Sequence, residues 1–276
     1  MIKIIQKLFR LFFAEFFDGL NQVQIKIDKQ NLKTAMHGAC NPINKQGIKI
    51  FSQNEEDGIL IEILKRLELK TGYFAEFGVG NGLENNTLVL LALGWRGFWV
   101  GNEKLFFTKN NNKKLFFIKE WITLNNIIQN FQKGLKNFNL TQVDVLSIDC
   151  DGNDYYFLEK LLQNQYRPQV IIIEYNGKYP PPIRWRQKYE EKFVWQYDDY
   201  FGSSLAEIQE LLRLFQYTLV CCNFTGANAF FVQNKNLQSF KDIPRNVRNI
   251  FYETNPIDLQ CCYKVSKKTV ISFLQG

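Results

Sequence analysis

Histidine is almost absent from this chain, with His37 the single one among 276 residues. Zinc sites with two or more histidines and HExxH proteases are therefore excluded, and a Ser-His-Asp triad would have to use His37. No CxxC pair occurs among the six cysteines, which argues against a zinc ribbon. The vicinal pairs Cys221-Cys222 and Cys261-Cys262 have poor geometry for ordinary disulfides. No signal peptide is evident either, so we expect a reducing cytoplasm.

A clustered basic face is also missing. Lys plus Arg number 34 against 27 Asp plus Glu, a net charge of +7, but the basic residues are scattered. Even the densest stretch, residues 104–119, separates its lysines by Phe and Asn. We therefore expect a solvated surface and no nucleic-acid partner. A hydrophobic share of 46% with 22% charged residues excludes wholesale disorder, and the length fits one large domain or two small ones.

No uninterrupted apolar run is long enough to span a bilayer. Residues 1–20 have a helical pattern, but Lys3, Lys7 and Arg10 break it. Two interpretations stay open: a helix packed on the body or in a homodimer, and a helix lying in a membrane interface. Residues 21–50 are polar and predict a connector, so the expected domains are residues 1–50 and 51–276.

Alternating apolar strands and helices fill the larger region. Ser52 and Glu55 predict a capping box that opens a helix. Strands are predicted at 73–78, 97–101, 115–118, 144–148, 170–173, 218–222 and 229–232, and helices at 85–93, 124–131, 155–162 and 204–215. This order predicts an α/β fold, a mainly parallel sheet covered by helices on both faces. Ligands bind such sheets at the carboxyl ends of the strands.

A glycine turn follows the first of these strands, in the stretch Glu76-Phe77-Gly78-Val79-Gly80-Asn81-Gly82. The dinucleotide fingerprint GxGxxG would need glycine at Leu83. The observed pattern resembles motif I of class I S-adenosylmethionine-dependent methyltransferases. That resemblance implies a Rossmann-like sheet, here with an N-terminal helical extension, and S-adenosylmethionine as cofactor. Its methionine part would be held by Glu76, Gly78, Gly80 and Gly82. A nucleotide oxidoreductase and a purely structural turn remain alternatives.

Glu103 ends the second predicted strand, where the same family has an acidic residue for the ribose hydroxyls. A carboxylate suits this role because both hydroxyls can donate to it. The stretch after Trp121 also resembles this family, and the resemblance implies that Ile122 and Thr123 line the adenine pocket.

An acidic turn, Asp149-Cys150-Asp151-Gly152-Asn153-Asp154, follows the strand at 144–148. Its IDxDGxD pattern resembles the FkbM-like branch and related sugar methyltransferases. The resemblance covers roughly residues 50–235. It implies that Asp149 also faces the cofactor and that the acceptor is a carbohydrate of a bacterial surface or capsular polysaccharide.

Two ways of activating an acceptor hydroxyl stay open. Related sugar methyltransferases hold a divalent metal, and the matching candidates for Mg²⁺ or Mn²⁺ are Asp149, Asp151 and Glu174, with Asn176 beside them. The alternative is metal-free base catalysis by Asp149, Asp151 or His37. The structural alternatives are that Asp151-Gly152 is an ordinary turn pair and that Asp154 caps the next helix.

An aromatic and proline-rich loop spans residues 175–201. Its aromatics can stack on a sugar or base, and its arginines can pair with phosphate. The candidate acceptor-binding residues are Tyr179, Arg184, Trp185, Arg186 and Asn176. A hydrophobic lid or a dimer contact is the structural alternative.

Taken together, these patterns predict O-methylation of a nucleotide-linked sugar, with a small-molecule substrate as partner. N-methylation of a small amine or phosphoramidate-type acceptor, and a non-catalytic membrane-associated protein on the same fold, are the alternatives.

Overall fold

The computed structural model describes residue 30 and residues 34–107, 113–252 and 264–275. It divides the chain into two compact units, Met1–Ala39 and Cys40–Gly276, whereas the sequence predicts the boundary after residue 50. Residues 34–38 of the first unit are helical. The helix predicted over residues 1–20 lies outside the described residues. No helix in the described part of the chain is long and apolar enough to cross a bilayer.

A single seven-stranded sheet organises the second unit. Its order is β3-β2-β1-β4-β5-β7-β6, in which β1 to β5 pair in parallel and β7 runs antiparallel to both of its neighbours. The strands are β1 (Tyr73–Phe77), β2 (Arg96–Gly101), β3 (Leu115–Lys119), β4 (Val145–Ile148), β5 (Val170–Glu174), β6 (Tyr217–Cys222) and β7 (Asn228–Gln233). The strand order reverses between β1 and β4, which is where open α/β sheets bind their ligands.

Helices cover both faces of this sheet. They are α1 (Glu56–Arg66), α2 (Leu88–Ala92), α3 (Ile127–Phe138), α4 (Asp154–Gln163), α5 (Leu205–Leu214) and α6 (Lys267–Gln275). Apolar side chains of α1 and α2 share one core with alternate strand residues such as Phe74 and Trp99. Those of α3, α4 and α5 share the other core with Ala75 and Phe77. The predicted Rossmann-like α/β sheet is therefore confirmed.

The central strands are mostly apolar because both of their faces are covered. Val145–Ile148 is buried throughout, and only the last residue of Val170–Glu174 is partly exposed. Register pairs Ile148 of β4 with Ile173 of β5, so the residues that follow them, Asp149 and Glu174, emerge side by side at the carboxyl edge. The sequence of two hydrophobic strands thus dictates where two acidic side chains meet.

The predicted capping box at Ser52 does not form, because α1 begins only at Glu56 and no side chain caps it. Asp57 supplies the local order instead. Its Oδ2 accepts the backbone N–H groups of residues 50–52 at 2.6–2.9 Å. A carboxylate that accepts three backbone N–H groups stabilises this loop more strongly than a serine hydroxyl would.

Candidate active site

Two adjoining cavities lie at the carboxyl ends of β1, β2 and β4, with volumes of about 360 Å³ and 240 Å³. Both are lined by Gly78, Gly80, Glu103 and Asp149, so they form one continuous depression, called the cleft below. It lies at the strand-order reversal, the position at which this class of sheet binds ligands. The sequence-predicted glycine turn and acidic turn therefore meet in one place.

Gly78 brings the two turns together. It has φ +91°, and a Cβ at this position would lie 1.5 Å from the backbone oxygen of Asp149. Any other residue would force the β1 and β4 turns apart. Gly80 has a different role. A Cβ there would lie 3.8 Å from a carboxylate oxygen of Glu103 and would occupy part of the cleft between them. The turn thus leaves open space in front of Glu103.

Glu76 is buried, and its carboxylate is used by the protein itself. It accepts the backbone N–H of Asn86 at 3.0 Å, the backbone N–H of Thr87 at 3.1 Å and the Thr87 hydroxyl. The indole N–H of Trp99 donates to that same hydroxyl at 2.8 Å. Burial raises the pKa of Glu76, and the bonds from Thr87 partly offset this. Glu76 lines the cleft while holding the chain that leads from the glycine turn into α2.

Glu103 presents an exposed carboxylate to the cleft, and it accepts no hydrogen bond from any described residue. The apolar side chains of Trp121 and Ile122 line the same cavity as Glu103. The Trp121 indole N–H is anchored on the Glu191 backbone oxygen at 2.8 Å. Thr123 is not among the lining residues. Its backbone N–H donates to the Asn126 side chain at 2.8 Å, which places it in the turn before α3.

Three carboxylates lie close together at the ends of β4 and β5, and two of them, Asp149 and Asp151, line the cleft. One oxygen from each of Asp149, Asp151 and Glu174 lies within 4.8 Å of the other two. Glu174 Oε2 is buried and finds no hydrogen-bond partner among the described residues. A buried acceptor without a hydrogen bond costs free energy, so a proton or a bound cation at this oxygen would stabilise the site. We call these three residues the acidic triad.

The raised pKa values of the triad carboxylates also favour a bound proton or cation. Burial, followed by the neighbouring carboxylates of Asp154 and Asp151, raises the pKa of Asp149 well above its ordinary value. Burial and then Asp149 do the same to the pKa of Glu174. Burial and the charge of Glu103 raise the pKa of Asp151. Like charges held this close favour sharing a proton or binding a cation near neutral pH.

Asp154 stabilises the acidic turn rather than capping α4. Its carboxylate accepts the backbone N–H of Cys150 at 2.6 Å and that of Gly152 at 2.9 Å. Helix α4 begins at Asp154 itself, and Asn153 holds the preceding cap position. Burial raises the pKa of Asp154 to about 6, although these backbone bonds oppose the shift. The structure thus corrects the prediction that Asp154 is the N-cap.

The described lining of the cleft is acidic and contains no Lys or Arg, although the whole chain carries +7. Its carboxylates are Glu76, Glu84, Glu103, Glu120, Asp149 and Asp151. Such a lining favours a cationic ligand and disfavours an anionic one.

The predicted acceptor-binding residues lie elsewhere. Tyr179 and Trp185 are buried in a separate aromatic cluster, their ring centroids 4.8 Å apart. Arg184 and Arg186 both pair with Glu207 on α5, at 2.9 Å and 3.2 Å.

Asn176 is fully buried, and its side-chain amide donates to the backbone oxygens of Asp199 and Phe201, both at 3.0 Å. The structure therefore does not bring these five residues to the cleft. His37 lies in the first unit, on an exposed part of the helical segment 34–38, and its catalytic role stays a prediction.

Several residues of the cleft were not singled out from the sequence. They are Asn102, Glu120, Asn153, Phe157, Phe193 and Val194. Phe193 and Val194 belong to the aromatic loop, but nothing in their residue types distinguishes them from their buried neighbours. Only the folded path of the loop reveals that this part of it closes the cleft.

No protein-family model matches this chain, and neither does any curated protein. Solved structures show weak similarity. A hemolysin candidate from Lactococcus lactis has a TM-score of 0.46 at 9% identity, over 73% of this chain and 97% of that one.

The methyltransferase MycE of the mycinamycin pathway, solved with Mg, S-adenosylhomocysteine and mycinamycin VI, has a TM-score of 0.39 at 12% identity. The match covers 68% of this chain and only 51% of MycE. A Burkholderia thailandensis N1-methyltransferase with bound S-adenosylhomocysteine has a TM-score of 0.38 at 13% identity, over 76% and 88% of the two chains. These TM-scores and identities are too low to assign an activity. A function therefore has to be inferred from the residues that line the cleft.

Proposed function

We propose that this protein is an S-adenosylmethionine-dependent methyltransferase acting in the cytoplasm. One observation carries the proposal: the glycine turn and the Glu103 carboxylate, which has no hydrogen-bond partner among the described residues, line the same open cleft at the strand-order reversal. Both motifs resemble class I methyltransferases in sequence, and both line the same two adjoining cavities. A purely structural glycine turn would not need the space in front of Gly80 to stay open.

The cleft residues fit this cofactor. Glu103 would accept hydrogen bonds from the two ribose hydroxyls, which a free carboxylate can do simultaneously. Trp121 and Ile122 would cover the adenine with apolar surface. The carboxylates around the glycine turn would favour the positive sulfonium and ammonium groups. When bound, the cofactor supplies a methyl group activated by its positively charged sulfur.

The acidic triad would handle the proton of the acceptor. Asp149, Asp151 and Glu174 have raised pKa values, so one of them is suited to take a proton from a hydroxyl near neutral pH. The triad also fits a hard divalent ion, since all three ligand atoms are carboxylate oxygens and Glu174 Oε2 lacks a partner. Mg²⁺ or Mn²⁺ held there would lower the pKa of an acceptor hydroxyl.

Titration with Mn²⁺, followed by electron paramagnetic resonance, tests the metal directly. We expect native protein to bind Mn²⁺ and Glu174→Gln to bind it at least about tenfold more weakly, because one charged ligand is lost. Glu120→Gln, which removes an exposed carboxylate at the cleft rim, is the matched control. Equal Mn²⁺ binding in all three proteins, or turnover that survives chelation, would reject the metal.

For the acceptor we propose a sugar hydroxyl, with a nucleotide-linked sugar of bacterial surface polysaccharide synthesis as the candidate. The support is the IDxDGxD resemblance. N-methylation of an amine is the second candidate, favoured by the absence of Lys and Arg from the described cleft lining. Incubation with labelled S-adenosylmethionine and parallel panels of nucleotide sugars and amines would separate them by which panel accepts the label.

Calorimetry with S-adenosylhomocysteine tests the core proposal. Glu103→Ala should weaken binding by about 1–3 kcal/mol through the lost ribose hydrogen bonds. Glu120→Ala removes the same charge from the same cleft and should change the affinity much less. Absence of binding to the native protein would favour a non-catalytic protein on this fold. Equal losses in the two variants would mean that Glu103 acts by charge alone.

A further inference from the structure

Another cavity, of about 310 Å³, adjoins the cleft. Phe193 and Val194 line both spaces, so a ligand that passes these two side chains would reach from one into the other. Lys192, Lys267 and Lys268 line this additional cavity, which we call the lysine groove. The cleft and the groove thus form neighbouring compartments of opposite charge character.

The three lysines of the groove differ in their ion pairs. Lys268 Nζ lies 3.5 Å from a Glu190 carboxylate oxygen and 5.3 Å from the Tyr200 ring centroid. Lys192 and Lys267 are exposed, and neither forms an ion pair with any described residue.

The acidic side chains of the groove are already engaged. Glu190 pairs with Lys268, and Asp198 Oδ1 accepts the backbone N–H of Tyr200 at 3.0 Å. Lys192, Lys267 and Lys268 outnumber these two carboxylates, so the groove lining has a net charge of +1.

The wall that carries Lys267 and Lys268 is firmly attached. Asp199 is buried, and its Oδ1 accepts the Ser266 backbone N–H and the Thr269 hydroxyl, both at 2.7 Å. Its Oδ2 pairs with Lys178 at 2.6 Å.

A second attachment joins the same helix to the aromatic cluster, since the Trp185 indole N–H donates to Ser272 Oγ at 2.7 Å. These contacts attach α6 to the aromatic loop, and its Lys267 and Lys268 line the groove beside the cleft.

We propose that the lysine groove binds a phosphate or diphosphate group of the methyl acceptor while the reacting group of that acceptor enters the cleft. This inference rests on the proposed methyltransferase function and names the class of its substrate. The carboxylates of the cleft would repel an anionic group, so it has to lie outside. Arg184 and Arg186 pair with Glu207 and line neither the cleft nor the groove, whereas Lys192, Lys267 and Lys268 line a cavity that shares Phe193 and Val194 with the cleft.

Inorganic pyrophosphate is the probe, since it has no base or sugar that could enter the cleft. Calorimetry in metal-free, low-salt buffer would compare native protein with the double variant Lys192→Ala/Lys267→Ala. We expect the double variant to bind at least about tenfold more weakly, because two charge-assisted contacts are lost. Lys133→Ala/Lys136→Ala, two exposed lysines of α3, removes the same charge away from the groove and should leave binding unchanged.

A second experiment distinguishes a lipid headgroup from a soluble phosphate compound as the ligand. Co-sedimentation with phosphatidylglycerol vesicles, against phosphatidylcholine vesicles, asks whether a lipid headgroup is the ligand. Loss of binding in the double variant but not in the control, in either arm, supports the groove. Lack of binding in both arms, or equal binding by the double variant, overturns it. S-adenosylhomocysteine binding, measured on the same samples, reports separately on the proposed function.

Discussion

Two segments of this chain are rich in residues that carry chemistry, and the fold uses them in opposite ways. The acidic turn after β4 contributes Asp149 and Asp151 to a triad in which Glu174 Oε2 has no described partner. The aromatic loop buries Tyr179 and Trp185 in its own cluster and pairs both arginines with Glu207. The acidic turn thus presents its carboxylates to the cleft, whereas the aromatic loop contributes to the cleft and the groove only through its later part, residues 190–200. Residue type alone does not separate the two.

The largest expected effect comes from a glycine beside each segment: Gly78, which packs against Asp149 of the acidic turn, and Gly202, which follows the aromatic loop. Gly78→Ala places a Cβ 1.5 Å from the Asp149 backbone oxygen, and we expect it to destabilise the fold by about 3–5 kcal/mol. Gly202→Ala, at φ +60° with no atom within 4 Å of the added Cβ, should cost about 1–2 kcal/mol. Urea unfolding measures both free energies. Equal values would mean that strain at positive φ, and not contact between the turns, explains Gly78.

Asp199→Asn should destabilise the packing between the aromatic loop and α6 without changing ligand binding in the cleft. Removing one partner of the pair between Asp199 and Lys178 should lower the free energy of unfolding by about 3 kcal/mol, while S-adenosylhomocysteine affinity stays the same. Burial alone would raise the pKa of Asp199, but hydrogen bonds from Lys178, Ser266 and Thr269 hold it below its ordinary value. Its contribution is therefore present above about pH 4 and is lost as the pH falls through the folded-state pKa.

Urea unfolding of both proteins from pH 3 to pH 7 checks this pH dependence. The stabilities of native protein and Asp199→Asn should converge at the acid end. A constant difference across the range would show that the charge of Asp199 is not what holds α6.

Glu174→Gln should stabilise the protein at neutral pH while damaging its function. The pKa of Glu174 is raised in the folded state, so the unfolded state ionises first as the pH rises above about 4.3. The native protein therefore becomes less stable as the pH rises above that value. The neutral amide of Glu174→Gln carries no such ionisation cost. We expect a gain of roughly 1 kcal/mol at pH 8 and none at pH 4. Thermal unfolding at both pH values is the measurement, and a pH-independent difference would count against an ionisation cost at Glu174.

Arg186→Ala should have the smallest effect. Its ion pair with Glu207 is partly exposed, and its guanidinium lies 4.4 Å from the Tyr155 ring centroid, so we expect a loss of less than about 1 kcal/mol. Turnover with a phosphate-bearing acceptor should keep its KM. A tenfold rise in KM without a change in stability would return the arginine to the acceptor site, as the sequence alone predicts.

Much of the sheet is predictable from the sequence, because buried parallel strands are continuous apolar runs with glycine or acidic ends. The β4 and β5 predictions agree with the observed strands to within a residue at each end. Helix starts are less predictable, since they depend on single hydrogen bonds. The helix predicted from residue 124 begins at Ile127, because Thr123 and Asn126 form a turn first.

The cleft is predictable only where a motif specifies a backbone shape. The glycine turn and Glu103 meet as expected, since strand order brings their ends together. The partners of Arg184, Trp185 and Asn176 come from distant segments, and nothing local in the sequence indicates them. Helix α6 lies beyond the resemblance, so its lysines and their place beside the cleft emerge only from the structure.

The attachment of α6 has a consequence for how substrate preference can change. One wall of the lysine groove comes from twelve residues near the chain end, 264–275, and is joined to the body by Asp199 and Trp185. No strand of the sheet contributes to that wall. Exchanging this short segment would alter the charge and shape of one compartment and leave the glycine turn and Glu103 untouched. Under the proposed function, α6 would contact the acceptor while the glycine turn and Glu103 would hold the methyl donor, so acceptor preference could change without loss of donor binding.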